Sequence, residues 1–120
     1  MTHWKQAALA VALMIGVVAP AAAETTSVAG ELVTIMCYTG HGDKGRGEAH
    51  VSCATKCAKQ GYPLAVLTSD GTLYKLTGKL TADHNEALQS LLTKAVVATG
   101  TVGEEGKGKT LDAASVVPAK

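Results

Sequence analysis

Residues 88–117 read LQSLLTKAVVATGTVGEEGKGKTLDAASVV, and this segment carries three successive structural signals. A short helix is predicted first, and its apolar face carries Leu88, Leu91 and Leu92. The preceding residues 83–86, DHNE, are expected to cap this helix and form its exposed first turn. Apolar runs over 95–102 and 110–117 predict two strands joined by a charged, glycine-rich turn. We therefore expect a helix followed by a β-hairpin at the carboxyl end of the domain.

Four further elements are predicted upstream of this segment. They are a buried strand over 32–38, a helix over 48–60, and two short strands over 64–68 and 72–77. The pair Asp70-Gly71 between the short strands is a strong hairpin signal. The order strand–helix–strand–strand–helix–strand–strand indicates a mainly β fold with two helices. Five short strands in so small a chain favour an OB-like, partly open barrel, because closure removes exposed sheet edges.

The amino-terminal residues are expected to form an export signal rather than part of the domain. Residues 1–23 combine a charged start, an apolar run and the small residues Ala21-Ala22-Ala23, which predicts a signal peptide cleaved before Glu24. The apolar run is shorter than the roughly 18–20 residues that span a membrane. We therefore expect a periplasmic or secreted protein without a membrane span after cleavage, with a flexible lead over 24–29 and a single OB-like domain over 30–118.

Two resemblances to known proteins rest on particular motifs. The pattern Leu88-x-x-Leu91-Leu92-x-Lys94, followed by the two C-terminal strands, resembles the helix and the final two strands of the OB fold. The chain after the leader also resembles a group of small secreted bacterial OB-fold-like proteins. Those proteins carry a Cys-Tyr strand end, a glycine-rich loop and a His-x-x-Cys-x-x-x-Cys helix, which match Cys37-Tyr38, residues 39–47 and the segment from His50 to Cys57. The second resemblance implies no settled activity.

Composition argues against several classes of function. The formal net charge is +1, aromatic residues make up 3% of the chain and Phe is absent. Nucleic-acid binders carry a basic excess and stacking aromatics, so no nucleic-acid partner is expected. Residues 40–45 match G-x-G-x-x-G by letter, but the domain is too short for a doubly wound sheet, so they predict a loop. No catalytic signature stands out, which gives an enzyme no support and leaves that question open.

Three cysteines and two histidines form the candidate functional site. On the first predicted helix, His50, Cys53 and Cys57 are spaced at i, i+3 and i+7, which places them on one face. Cys37 ends the preceding strand, and the intervening loop can fold the helix back toward it. A Cys3His set suits a tetrahedral zinc site, and three thiolates suit copper(I). His41, in the glycine-rich loop, is a fifth candidate ligand.

Other uses of these residues remain open. Cys37 could form a disulfide with Cys53 or Cys57 more easily than those two could pair. Cβ atoms one helical turn apart are separated by about 5–6 Å, whereas a disulfide needs about 3.5–4.5 Å. A structural disulfide would give a stapled OB-like interaction module without metal, and a reactive thiol pair would give a redox protein. Noncovalent haem held by His50 or His41 also stays open, although no sequence feature selects it.

The leading hypothesis is a small periplasmic protein that binds copper or zinc through this cluster. Carriage, storage or sensing of the metal is expected rather than turnover. The expected partner is the metal ion itself or a small periplasmic partner, and the sequence does not select an oligomeric state.

Overall fold

Five strands dominate the computed structural model, which describes residues 25–119. They are β1 (Thr25–Thr34), β2 (Leu64–Leu67), β3 (Leu73–Thr77), β4 (Ala95–Glu105) and β5 (Gly108–Pro118). The strands pair in the order β1-β2-β3-β5-β4, and β4 pairs again with β1, so they form a closed ring. All neighbours are antiparallel except β3 and β5, which are parallel. The predicted mainly β fold with five strands is confirmed.

Helical segments occupy two of the connections between strands. Helices α1 (Ile35–His41) and α2 (Val51–Lys59) lie between β1 and β2, and α3 (Ala82–Asn85) lies between β3 and β4. Short 3₁₀ turns accompany them at Gly42–Gly45, Glu48–His50, Lys79–Thr81 and Glu86–Leu91. The described residues therefore contain three helices, whereas the sequence predicted two; the third, α3, is a single turn with left-handed residues inside it. The predicted signal peptide over 1–23 and its cleavage before Glu24 lie outside the described residues.

The first strand lies further toward the amino terminus than predicted. Residues 25–29, expected in a flexible lead, pair with β4, because β4 extends far enough to place Thr101 opposite Thr25. At its other end β1 stops at Thr34, whose partner Leu64 is the first residue of β2. Pro63 precedes β2 and has no N–H to continue the ladder. With no further strand to pair with, the chain turns into α1, so the strand predicted over 32–38 is wrong for residues 35–38.

The main core fills the interior of the ring. Buried side chains from all five strands meet there with leucines from the 86–92 region, the largest being Leu32, Leu64, Leu88, Leu92 and Leu111. Helix α2 joins this core through two alanines, Ala54 and Ala58. Because alanine side chains are small, α2 packs close to the ring. Cys53 and Cys57 each precede one of these alanines, so the packing of α2 fixes their position.

The helix predicted around residues 83–92 is replaced by a sharper turn. Asp83, His84 and Asn85 have φ angles of 54°, 56° and 61°, so three consecutive residues without a glycine adopt the left-handed conformation. The following segment Glu86–Leu91 is a 3₁₀ helix. This turn brings the buried Asn85 against the carboxyl end of α2, where its Nδ2 donates to the carbonyl oxygens of Ala58 (3.1 Å) and Tyr62 (3.0 Å). Hydrogen bonding of this kind compensates for left-handed strain.

Candidate metal centre

The three cysteines of the chain come from two helices on the same connection between β1 and β2. Cys37 lies in α1, not at a strand end as predicted, and is only 4% exposed. Cys53 and Cys57 lie one turn apart in α2, with Cys53 exposed and Cys57 partly buried. The cluster therefore runs from a buried thiol to a solvent-accessible one.

The sulfur atoms converge although the helices are separate in sequence. The Sγ atom of Cys37 lies 3.9 Å from that of Cys53 and 3.8 Å from that of Cys57. All three Sγ atoms lie within 4.8 Å of one another, and all three residues are free thiols. Two sulfurs that are each bound at about 2.3 Å to one ion and lie 3.8–3.9 Å apart, as Cys37 does from each partner, subtend an angle of about 110–115° at the ion. The three thiols are thus close enough together to hold a metal ion.

The surroundings of Cys57 favour its protonated thiol when no metal is bound. Burial is the largest of the causes that raise its pKa from 9.0 to about 11, and the neighbouring Cys37 and Cys53 contribute in the same direction. A bound cation would favour the thiolate and displace the proton.

The segment between the two helices is held by contacts that the sequence did not reveal. Gly45, at the end of a 3₁₀ turn, packs so closely on Cys37 that an added Cβ would overlap the Cys37 carbonyl oxygen. From β1, the carboxylate of Glu31 accepts hydrogen bonds from Arg46 Nη2 (3.1 Å) and from the main-chain N–H of Gly47 (2.9 Å). Glu31 has a side chain only 14% exposed. These contacts fix α1 and α2 relative to β1.

No pattern in the sequence distinguishes these residues from their neighbours. Gly45 is one of four glycines in a loop, and nothing in the pattern shows which one meets the backbone. Glu31 and Arg46 are fifteen positions apart and look like ordinary surface charges. Asn85 was predicted to lie in an exposed helical turn, whereas it is buried and supports the end of α2.

The two histidines lie near one another but outside the group of three sulfurs. His41 is the last residue of α1, and His50 ends the 3₁₀ turn that precedes α2. Their ring centroids are 6.2 Å apart. The Nε2 atom of His50 is buried and has no hydrogen-bond partner among the described residues. His50 is the residue immediately before α2, so its i, i+3 spacing to Cys53 runs from the 3₁₀ turn into the helix.

Comparisons of the chain with protein-family models, with curated proteins and with solved structures find no match. Within residues 25–119, no helix combines the length and the apolarity needed to cross a membrane. The geometry of the cysteine cluster is therefore the feature of the described residues that points to a function.

Proposed function

We propose that this protein binds a soft metal ion, copper(I) or zinc, through Cys37, Cys53 and Cys57. It does so as a small OB-like barrel in the periplasm, where it carries, stores or senses the metal. The observation that supports this function is the approach of three free thiols to 3.8–3.9 Å around Cys37. Thiolate ligands select copper(I) and zinc over harder cations.

The packing around the cluster supports a binding site rather than three unrelated core cysteines. Ala54 and Ala58 make the core contacts of α2, while Cys53 is exposed and Cys57 only partly buried. A cysteine used only as a small core residue is buried. Zinc would need a fourth ligand, for which His50 and His41 are the candidates, His50 having a buried nitrogen without a partner. Copper(I) is satisfied by thiolates alone.

One experiment tests the proposal directly. The full chain is expressed in a bacterial host, the exported protein is purified without chelator, and metal content and free thiols are measured on the same sample. We expect close to one copper or zinc per chain, lost in Cys37→Ser and Cys57→Ser. The control is Ser52→Ala, which alters an exposed side chain beside Cys53 and leaves the three sulfurs in place. Three free thiols with no metal bound, even after incubation with either ion, would refute the proposal.

A second candidate function is favoured by the same distances. Cys37 is almost equidistant from Cys53 and Cys57, so either pair could form a disulfide after a closing movement of about 1.8 Å. A disulfide would staple α1 to α2 and leave one thiol, which gives an interaction module without metal or a thiol redox protein. Intact mass separates these functions from metal binding, because a disulfide lowers the mass of the metal-free protein by two hydrogens.

A further inference from the structure

We infer that the site is a copper(I) site in which three thiolates, and no imidazole, coordinate the ion. This inference rests on the proposed function and specifies its metal. Among residues 25–119, the group of donors within 4.8 Å of one another consists of Cys37, Cys53 and Cys57, without a histidine or a carboxylate. The donor set is therefore entirely soft and contains three atoms. Three thiolates complete the coordination of copper(I), whereas structural zinc sites almost always have four ligands.

The surroundings of the histidines support their exclusion from the coordination sphere. His50 precedes α2 in a 3₁₀ turn, and the ring of His41 lies 6.2 Å from it, centroid to centroid. Neither imidazole belongs to the group of mutually close donor atoms, so zinc would have to recruit its fourth ligand from outside the three sulfurs. Copper(I) needs no donor beyond these three thiolates.

The position of Cys53 in α2 also suits the negative charge of a copper(I) ion bound by three thiolates. Binding forms three S–Cu bonds and releases three thiol protons to solvent, and no electron is transferred because the metal enters as copper(I). The complex carries two negative charges. Cys53 is the third residue of α2, where the positive end of the helix dipole stabilises negative charge. Its exposure leaves one side of the site open for the ion to enter, while the buried Cys37 anchors it.

The test compares the two metals on the reduced, exported protein under anaerobic conditions. Copper(I) affinity is measured by competition with a chromophoric copper(I) chelator, and the copper-loaded protein is then exposed to about a hundredfold excess of zinc. We expect one copper(I) per chain that zinc does not displace. X-ray absorption at the copper edge should show three sulfur neighbours and no imidazole. The double variant His41→Ala/His50→Ala should keep copper(I) affinity within about threefold of the parent, since neither ring is a ligand.

Two cysteine variants test which sulfurs bind copper(I). Cys53→Ser alters an exposed position, so the fold should be retained and the sulfur count at copper should fall from three to two. Cys37→Ser should lower copper(I) affinity more than about 100-fold, with circular dichroism confirming the fold. Displacement of copper by zinc, imidazole scattering at the metal, or a tenfold or larger loss in the histidine variant would overturn the inference and leave metal binding intact. Failure to bind either metal would instead refute the proposed function.

Discussion

Substitution of Gly45 by alanine should weaken metal binding without touching a ligand. Gly45 is buried against α1, and a Cβ there would lie 2.5 Å from the carbonyl carbon of Cys37 and 2.9 Å from the amide nitrogen of Tyr38. Both contacts are with backbone atoms, which cannot rotate away as a side chain can. The 3₁₀ turn Gly42–Gly45 and α1 must therefore move apart.

The size of this movement follows from ordinary contact distances. Carbon atoms prefer separations of about 3.5 Å, so the turn and Cys37 must separate by about 1 Å. Two sulfurs bound at about 2.3 Å to one ion cannot lie more than about 4.6 Å apart, and those of Cys37 and Cys57 are already 3.8 Å apart. If Cys37 moved about 1 Å away from Cys57, the two sulfurs would lie beyond the separation that one ion can bridge. We expect metal affinity to fall about 10–100-fold and the free energy of unfolding to fall by about 1–3 kcal/mol.

Gly40→Ala is the matched control for this experiment. Gly40 lies in α1, and a Cβ there would meet no atom within 4 Å. In a helix, alanine is more stable than glycine by about 0.5–1 kcal/mol, so this variant should be slightly stabilised and bind metal normally. Both variants are measured by chelator competition and by urea unfolding of the metal-free protein. Parental metal affinity in a folded Gly45→Ala protein would refute the geometric reasoning.

Three further predictions concern stability. Asn85→Ala should lower the free energy of unfolding by about 2–3 kcal/mol in urea, since two main-chain acceptors lose their donor. The partly exposed Gln89→Ala, which removes one donor to the His84 carbonyl oxygen, should lower it by only about 0.5–1.5 kcal/mol. Because the pKa of Cys57 is raised from 9.0 to about 11 on folding, the metal-free protein should lose thermal stability as pH rises between these values, and Cys57→Ser should abolish that loss. Glu31→Ala should cost about 1–3 kcal/mol, and a double-mutant cycle with Arg46→Ala should show coupling between them.

Much of the strand framework was predictable because it depends on local patterns. The short strands β2 and β3 follow from apolar runs on either side of Asp70-Gly71, and the left-handed φ of Gly71 (86°) is what this turn requires. The long β4 and β5 were also located from their apolar runs, although the structure extends both. Periodicity in the sequence reflects burial, and buried positions alternate along part of β4 and β5, whereas all four residues of β2 are buried.

The predictions from sequence were wrong where contacts with distant parts of the chain decide the local structure. Ile35, Met36 and Cys37 look like a strand by residue type, yet β2 ends its pairing with β1 at Thr34 and the chain becomes helical. The left-handed turn at 83–85 contains no glycine to announce it. Tertiary context overrides propensity in both places.

Part of the candidate site could be predicted, because the spacing of residues along a helix is a local pattern. Cys53 and Cys57 share a helix, so their proximity follows from spacing alone. The approach of Cys37 required only that the loop fold back, and the structure shows the three sulfurs together. The position of His50 could not be predicted, because it depends on where a 3₁₀ turn gives way to α2. The ligand roles predicted for His50 and His41 stay predictions, and the double variant His41→Ala/His50→Ala decides between them and the copper(I) site of three thiolates inferred above.

The closed ring has a consequence for how the thiols first become available. Strand β1 pairs with β4, joining Thr25 to Thr101, so the ring cannot close until almost the whole domain is present. Contacts between such distant residues slow folding. The three cysteines lie between β1 and β2, so they are synthesised before β4 and β5 are available to complete the ring. If the protein binds metal as proposed, an ion can reach the thiols before the ring closes. The metal supply during folding, as well as the affinity of the finished site, would then affect how many molecules carry metal.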